Sequence, residues 1–221
     1  MTQDSRDSIV AIPVWDPPTR AFHWSLALLV ALAWASAKLD SMTLHMNAGH
    51  AILALIAFRL AWGFVGSRHS RFTDFVRGPR AALAYLRGGV ATLGHNPLGG
   101  WMVLALLGVL GGQAVTGLFA DDDIIASGPL AHLVSSSTTS LLTKVHKIGA
   151  KAILALIALH LAAVLFHRLV KGENLVRPMI TGVKRLPSHH APPARPFASP
   201  WAALAVFAAA AGVSWGLPLL F

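Results

Sequence analysis

The sequence predicts an all-α membrane protein, in which a bundle of four transmembrane helices is followed by a fifth, C-terminal transmembrane helix. Three observations support this prediction. The 221 residues are 55% hydrophobic and only 12% charged, whereas soluble domains carry roughly 25% charged residues. Five segments contain the roughly 20 apolar residues that a membrane span requires. The Lys and Arg residues are concentrated in alternate connections between those segments.

The five predicted spans are connected by segments of very different lengths. The spans cover residues 22–39, 43–65, 98–119, 142–169 and 200–221. The first four form one predicted domain, 14–185, which a Pro-rich linker, 186–199, joins to the fifth span. Because the fifth span is rich in alanine and has neither histidine nor charge, we expect it to serve as a peripheral anchor or as a docking helix.

The distribution of basic residues predicts the orientation in the membrane. Connections rich in Lys and Arg stay on the cytoplasmic side. The loop 66–97 is basic, and so is the connection after the fourth span, whereas the loop 120–141 has no Lys or Arg and contains three aspartates, Asp121, Asp122 and Asp123. We therefore expect the N-terminus and both basic segments in the cytoplasm, and the acidic loop and, if the fifth span crosses the membrane, the C-terminus outside. The basic residues are Arg68, Arg71, Arg77, Arg80 and Arg87 in the first loop and Lys171, Arg177, Lys184, Arg185 and Arg195 in the second.

Charge and cysteine content exclude several kinds of function. The net charge of +9 lies in the connections between spans, so we expect the lipid bilayer as the partner and no nucleic acid. The absence of cysteine excludes iron–sulfur clusters, thiolate zinc sites and covalently attached haem. Metal chemistry in this chain would depend on its 11 histidines.

Two histidines of the fourth span share one face of the helix. His146 and His160 are 14 residues apart. At about 100° and 1.5 Å per residue they lie about 40° apart around the helix and about 21 Å apart along it. Ionisable side chains in a span usually face the bundle interior or a cofactor. Two such ligands predict two stacked cofactors, because a single metal ion needs ligands within about one turn.

Each cofactor needs a second ligand from another helix at the same depth. The predicted topology brings His45 level with His146 near the outer face, and His23 level with His160 in the inner half. We expect these pairs to hold two non-covalent b-type haems through axial histidines. Bis-histidine iron is six-coordinate, which suits electron transfer rather than oxygen binding.

Two arginines are candidate partners of the haem propionates. Arg59 is a cation within the second span and must face the bundle, whereas Arg20 precedes His23 by three residues and is also an ordinary candidate for anchoring at the cytoplasmic face. Arg59 is 14 residues from His45, so the two share a face, but nine residues from His50, which places those on opposite faces. The sequence therefore favours His45 over His50.

His167 is the rival of His160 on the fourth span. It follows His160 by seven residues on nearly the same face, at the cytoplasmic boundary. Side chains at such a position commonly extend to the membrane interface. The sequence favours His160 as the ligand and predicts an interfacial position for His167.

Several motifs over residues 14–185 resemble the bacterial cytochrome b561 family, in particular its branch shared with the b-type subunits of nickel–iron hydrogenases. The resemblance implies four helices with two b haems. Its ligand positions, on the first, second and fourth spans, match His23, His45, His146 and His160. The motifs are VWDPPTRAFHW (14–24), HMNAGHAILALIAFRLAWGFVGSRHSRF (45–72), GHNPLGGWM (94–102), TGLFADDD (116–123), HKIGAKAILALIALH (146–160) and GENLVRPMITGVK (172–184).

These observations predict an electron-transfer subunit rather than a stand-alone enzyme. The resemblance implies a bacterial cytoplasmic membrane around the chain, with the C-terminus in the periplasm. It also implies exchange of electrons between the quinone pool and a periplasmic cytochrome or oxidoreductase subunit. Two alternatives stay open, a superoxide:quinone oxidoreductase and a haem-bearing membrane anchor of a larger redox complex.

Overall fold

The computed structural model describes residues 8–88, 92–122, 126–188, 196–216 and 219, and these residues are mostly helical. Asp123, residues 189–195 of the predicted linker and four residues at the end of the predicted fifth span lie outside this description. In the described part of the chain the helices are α1 (Pro17–Lys38), α2 (Met42–Val65), α3 (Phe72–Phe75), α4 (Pro79–Leu86), α5 (Pro97–Leu118), α6 (Ser136–Leu169), α7 (Val176–Thr181) and α8 (Pro200–Gly216).

Polar caps set the starts of the long helices. The Asp16 side chain accepts a hydrogen bond from the Thr19 N–H at 2.8 Å, with prolines in the first turn. Asn96 accepts from the Gly99 N–H at 2.7 Å, and Ser135 caps α6 through the Thr138 N–H. Such caps satisfy backbone donors that have no partner within the helix. α1 and α6 therefore begin five and six residues before the predicted spans.

Helix α2 is the centre of the bundle. It packs against α1, α5 and α8, while the main neighbour of α6 is α5. Its side chains Ile52, Leu55, Ile56, Phe58 and Trp62 are buried in the core. Most apolar side chains on the outward faces of α1 and α6 are exposed, as expected where lipid is the solvent.

Among the described residues, four helices are long and apolar enough to cross a membrane, namely α1, α2, α5 and α6. The sequence predicts a fifth span over 200–221, but α8 has only 17 described residues, which is shorter than a typical span. α8 packs along α2, where the Ser214 hydroxyl donates to the His50 carbonyl oxygen at 2.8 Å. At the other end of α8, the Ala198 N–H donates to the Ser67 hydroxyl at 2.9 Å.

A two-stranded antiparallel sheet closes one end of the bundle and is not predicted from the sequence. β1 (Ile9–Pro13) pairs with β2 (Val183–Pro187), with Ile9 opposite Pro187 and Pro13 opposite Val183. The Val14 and Trp15 N–H groups donate to the Gly182 carbonyl oxygen. Gly182 has a φ of 84°, which glycine adopts readily. We call this end the strand end, and we call the opposite end, where residues 39–41 join α1 to α2, the turn end.

Candidate functional site: two histidine pairs within the bundle

The structure brings four of the predicted site residues together as two pairs of neighbouring rings. At the turn end, the ring centres of His45 on α2 and His146 on α6 are 6.1 Å apart. Nearer the strand end, those of His23 on α1 and His160 on α6 are 6.4 Å apart. α6 thus contributes one ring to each pair.

The spacing of the rings fits two imidazoles that share one metal ion. A metal–imidazole bond is about 2.0 Å long, and the ring centre lies about 1 Å behind the bonding nitrogen. Two opposed imidazoles on one ion therefore have ring centres about 6 Å apart. Both pairs match this separation, so the residues fit a haem iron with two axial histidines.

Hydrogen bonds determine which nitrogen of the turn-end rings is free to bind a metal. His45 Nδ1 lies 2.8 Å from the Ala33 carbonyl oxygen, and His146 Nδ1 lies 2.9 Å from that of Gln113. A carbonyl oxygen only accepts, so each Nδ1 carries the proton. The Nε2 lone pair of each ring is left available to a metal, as is usual where the second ring nitrogen is held by a carbonyl. Backbone acceptors of this kind are invisible in a sequence.

The strand-end pair has no such support among the described residues. His23 Nδ1 is buried without a hydrogen-bond partner. The His23 ring instead packs edge-on against Trp24, with ring centres 5.0 Å apart. The Trp24 N–H donates to the Met179 carbonyl oxygen at 3.3 Å, which links α1 to α7.

Both predicted arginines lie at the strand end. Arg59 is only 2% exposed, and its Nη1 has no partner in the described part of the chain. Its guanidinium lies 4.9 Å from the centre of the Phe72 ring. Arg20 donates from Nη1 to the Ile180 carbonyl oxygen at 2.5 Å, while its Nε is buried without a described partner. The unpaired N–H groups at Arg59 Nη1 and Arg20 Nε could donate hydrogen bonds to anionic groups such as propionates.

His95 belongs to the same neighbourhood and is not among the residues singled out from the sequence. Its ring centre lies 4.6 Å from those of Trp15 and Phe75. Burial, and then the charges of Arg59 and the nearby histidines, lower the pKa of His95 to about 3. The one feature of the sequence that could have pointed to His95 is its place in the GHNP motif before α5. A single histidine outside a membrane span does not identify a site until the fold shows its neighbours.

The two rival histidines point elsewhere. His50 Nδ1 lies 3.0 Å from the Ser214 carbonyl oxygen on α8, away from the pairs. His167 is buried, with Nδ1 3.0 Å from a Glu173 carboxylate oxygen and Nε2 3.4 Å from the Asn96 amide. Glu173 and Asn96 thus provide partners for His167 inside the protein, and its position at the membrane interface stays a prediction.

Comparison with known proteins identifies one family. The family model for prokaryotic cytochrome b561 matches residues 14–182. This range contains both histidine pairs and ends before β2 and α8. No curated protein and no solved structure matches the chain.

Proposed function

The chain belongs to the prokaryotic cytochrome b561 family, and from this premise we propose that it carries electrons across the cytoplasmic membrane through two b-type haems, one in each histidine pair. The family implies a b-type haem protein for electron transfer within a bacterial membrane, and the four apolar helices agree with it. The observation that carries the proposal is the pair of ring separations, 6.1 and 6.4 Å. The narrower likeness to hydrogenase subunits stays a prediction.

Each proposed role rests on a contact of the chain. His45 and His146 would bind through Nε2, because carbonyl oxygens hold their Nδ1 protons. His23 and His160 would hold the second haem, with Arg59 and Arg20 offering unpaired donors to its propionates. When bound, haem supplies a one-electron Fe(III)/Fe(II) couple. The protein would hold the rings in place and keep water from the iron.

The proposed partners follow from the distribution of charge and from the family. The arginine-rich loop and the strands lie at one end, so the strand end would face the cytoplasm. Quinone dissolved in the bilayer would exchange electrons with one haem. A periplasmic cytochrome or oxidoreductase subunit would exchange them at the turn end, near Asp121 and Asp122.

Haem content tests the proposal directly. Full-length protein purified in detergent should contain about two haems per chain by the pyridine haemochrome method, with a b-type spectrum. His45→Ala should lose one haem, whereas the matched control His50→Ala should keep both, because His50 contacts α8. One haem in the wild type, or loss of haem from His50→Ala alone, would overturn the assignment.

The partners require a separate assay. The loaded protein should be reduced by a quinol and reoxidised by a c-type cytochrome faster than the His45→Ala variant. Superoxide, supplied with quinone in place of the cytochrome, tests the alternative activity. Reduction of quinone by superoxide, together with no reaction with the cytochrome, would favour that alternative.

A further inference from the structure

A cleft at the strand end has one wall outside the range that matches the family. It has a volume of about 590 Å³ and opens between residues 67–74 and residues 196–198, which precede α8. The Ala198 N–H donates to the Ser67 hydroxyl at 2.9 Å, so a hydrogen bond joins the two walls. The family match ends at residue 182. The family therefore does not account for this cleft.

The cleft is lined by donors that suit a phosphate group. Arg68 donates from Nε to the Asp74 carboxylate at 3.2 Å, and Arg71 donates from Nε to the Gly66 carbonyl oxygen at 2.8 Å. These bonds fix both guanidinium groups, while their Nη groups make no hydrogen bond to a described residue. The Thr73 hydroxyl also lines the cleft. Guanidinium and hydroxyl groups are good hydrogen-bond donors to phosphate oxygens.

Asp74 is the single carboxylate among the described residues that line the cleft, and it is already paired. One of its oxygens accepts from Arg68, and the other lies 3.0 Å from His69 Nδ1. Residues 66–80 contain four arginines and only this aspartate. The excess of positive charge favours a ligand with net negative charge. It disfavours a zwitterionic headgroup, which carries a cation of its own.

An exposed apolar strip leads along α2 to the cleft. Leu60 and Phe64 are four residues apart, so they share a face of this membrane-spanning helix, and they are 47% and 68% exposed. Arg68 follows Phe64 by four residues. In a bilayer such a strip contacts acyl chains, and the arginines at its end lie at the level of the headgroups. A soluble phosphate would leave the strip unused, so the surface favours a lipid.

We propose that this cleft binds the phosphate of an anionic phospholipid such as phosphatidylglycerol, with its acyl chains along Leu60 and Phe64. Basic pockets between membrane helices bind anionic headgroups in this way. Arg68, Arg71 and Thr73 donate hydrogen bonds to the phosphate oxygens. The site requires neither haem, so the proposal is independent of the proposed electron transfer.

Native mass spectrometry of the full-length protein in detergent tests this binding. The wild type should bind phosphatidylglycerol in preference to phosphatidylcholine. A basic residue contributes about fivefold to the affinity for an anionic lipid surface, so the double variant Arg68→Gln, Arg71→Gln should bind phosphatidylglycerol roughly thirtyfold more weakly. Thr73→Val keeps the charge and should weaken binding severalfold, because it removes one hydrogen-bond donor.

The matched control is the double variant Arg80→Gln, Arg87→Gln. It removes the same charge from exposed positions at the start of α4 and directly after it, outside the cleft. This control should keep nearly the affinity of the wild type. Equal losses in the two double variants would show a general attraction by charge rather than a site. Equal binding of the two lipids by the wild type would also overturn the proposal.

Inorganic phosphate distinguishes a lipid from a soluble anion. At equal ionic strength it should leave phosphatidylglycerol bound, because phosphate makes no contact with the apolar strip. Displacement of the lipid by phosphate at a comparable concentration would assign the cleft to a soluble anion and would overturn the proposal. Circular dichroism checks that each variant keeps the helical content of the wild type. If the arginine variant does not fold, the loss of affinity in Thr73→Val decides.

Discussion

At the scale of single residues, Asp16 organises the strand end. Its fully buried carboxylate accepts hydrogen bonds from the Thr19 N–H, the Trp62 indole at 3.1 Å and the Ser70 hydroxyl at 3.2 Å. These contacts join α1, α2 and the turn after α2. A buried charge is tolerated when donors surround it in this way. Asp16 therefore holds these three segments together at the strand end, and its charge also interacts with that of Arg59.

Asp16→Asn should destabilise the fold. In asparagine an NH2 group takes the place of one carboxylate oxygen. This group cannot accept a hydrogen bond from the N–H or O–H donors that face it. We expect a loss of roughly 2–4 kcal/mol in the free energy of unfolding, because buried donors lose a charged partner. Chemical denaturation in detergent, monitored by circular dichroism, measures this loss of free energy.

The control for this prediction is Asp74→Asn. Asp74 is partly exposed and pairs with Arg68 and His69. A pair of this kind contributes about 1 kcal/mol or less. Equal losses in the two variants would show that the Asp16 hydrogen bonds have no special importance.

At the scale of elements, Glu173 connects the end of α6 to β2. Its carboxylate accepts from Lys184 Nζ at 2.5 Å and from His167 Nδ1 at 3.0 Å. Burial alone would raise the pKa of Glu173, but the hydrogen bonds and charges of Lys184 and His167 outweigh it, so the pKa is lowered. The contacts of Glu173 with Lys184 and His167 therefore hold β2 against the end of α6.

The lowered pKa of Glu173 predicts a sensitivity to acid. A carboxylate whose folded pKa is depressed stabilises the protein above its unfolded pKa, and the stabilisation is lost as pH falls through the folded value. The wild type should therefore lose stability below about pH 4.5. Glu173→Gln should be less stable at pH 7 and should lose less on acidification, as measured by thermal unfolding in detergent.

An exposed carboxylate provides the comparison. Asp40 lies in the turn between α1 and α2 with a φ of 54°, a conformation that asparagine also tolerates. Asp40→Asn should keep the acid sensitivity of the wild type. If it reduces this sensitivity as much as Glu173→Gln does, the effect does not come from the Glu173 contacts.

At the scale of the whole molecule, the histidine pairs link helices that pack little against each other. The main neighbours of α2 are α1, α5 and α8, whereas α6 packs mainly on α5. The pairs connect α6 to α2 at the turn end and to α1 near the strand end. A haem held in each pair would therefore fasten α6 to α2 and to α1.

Haem loading should stabilise the bundle as a whole. A ligand that binds only the folded state stabilises it by about 4 kcal/mol when present at a thousand times its Kd. Protein from haem-limited cells should unfold at a lower temperature than haem-replete protein. Circular dichroism during heating measures the two unfolding temperatures. His50→Ala should keep this difference and His146→Ala should lose part of it. Equal unfolding temperatures in both preparations would contradict the bridging role.

Local properties made much of this architecture predictable. The apolar runs of α1, α2, α5 and α6 are long enough to identify spans directly. The spacing of His146 and His160 predicts their shared face, because an α-helix turns by a constant angle per residue. The start of α6 was missed because its first turns are polar and depend on a cap at Ser135 rather than on hydrophobicity.

Contacts between distant residues were not predictable in the same way. β1 and β2 are separated by the entire four-helix core, and each is too short to identify a strand by alternation. His95 becomes a candidate only when α5 brings it near Trp15 and Phe75. Its environment depends on the packing of three separate segments.

The sequence by itself determined the membrane helices and a set of histidines at two depths, since both follow from composition and helical period. Only the tertiary structure decided that His50 faces α8 and that the turn-end rings donate to carbonyl oxygens while the His23 ring does not. Every residue carries a carbonyl group, so a sequence cannot show which ones lie beside a ring. Helix packing makes that choice, and with it the difference between the two sites.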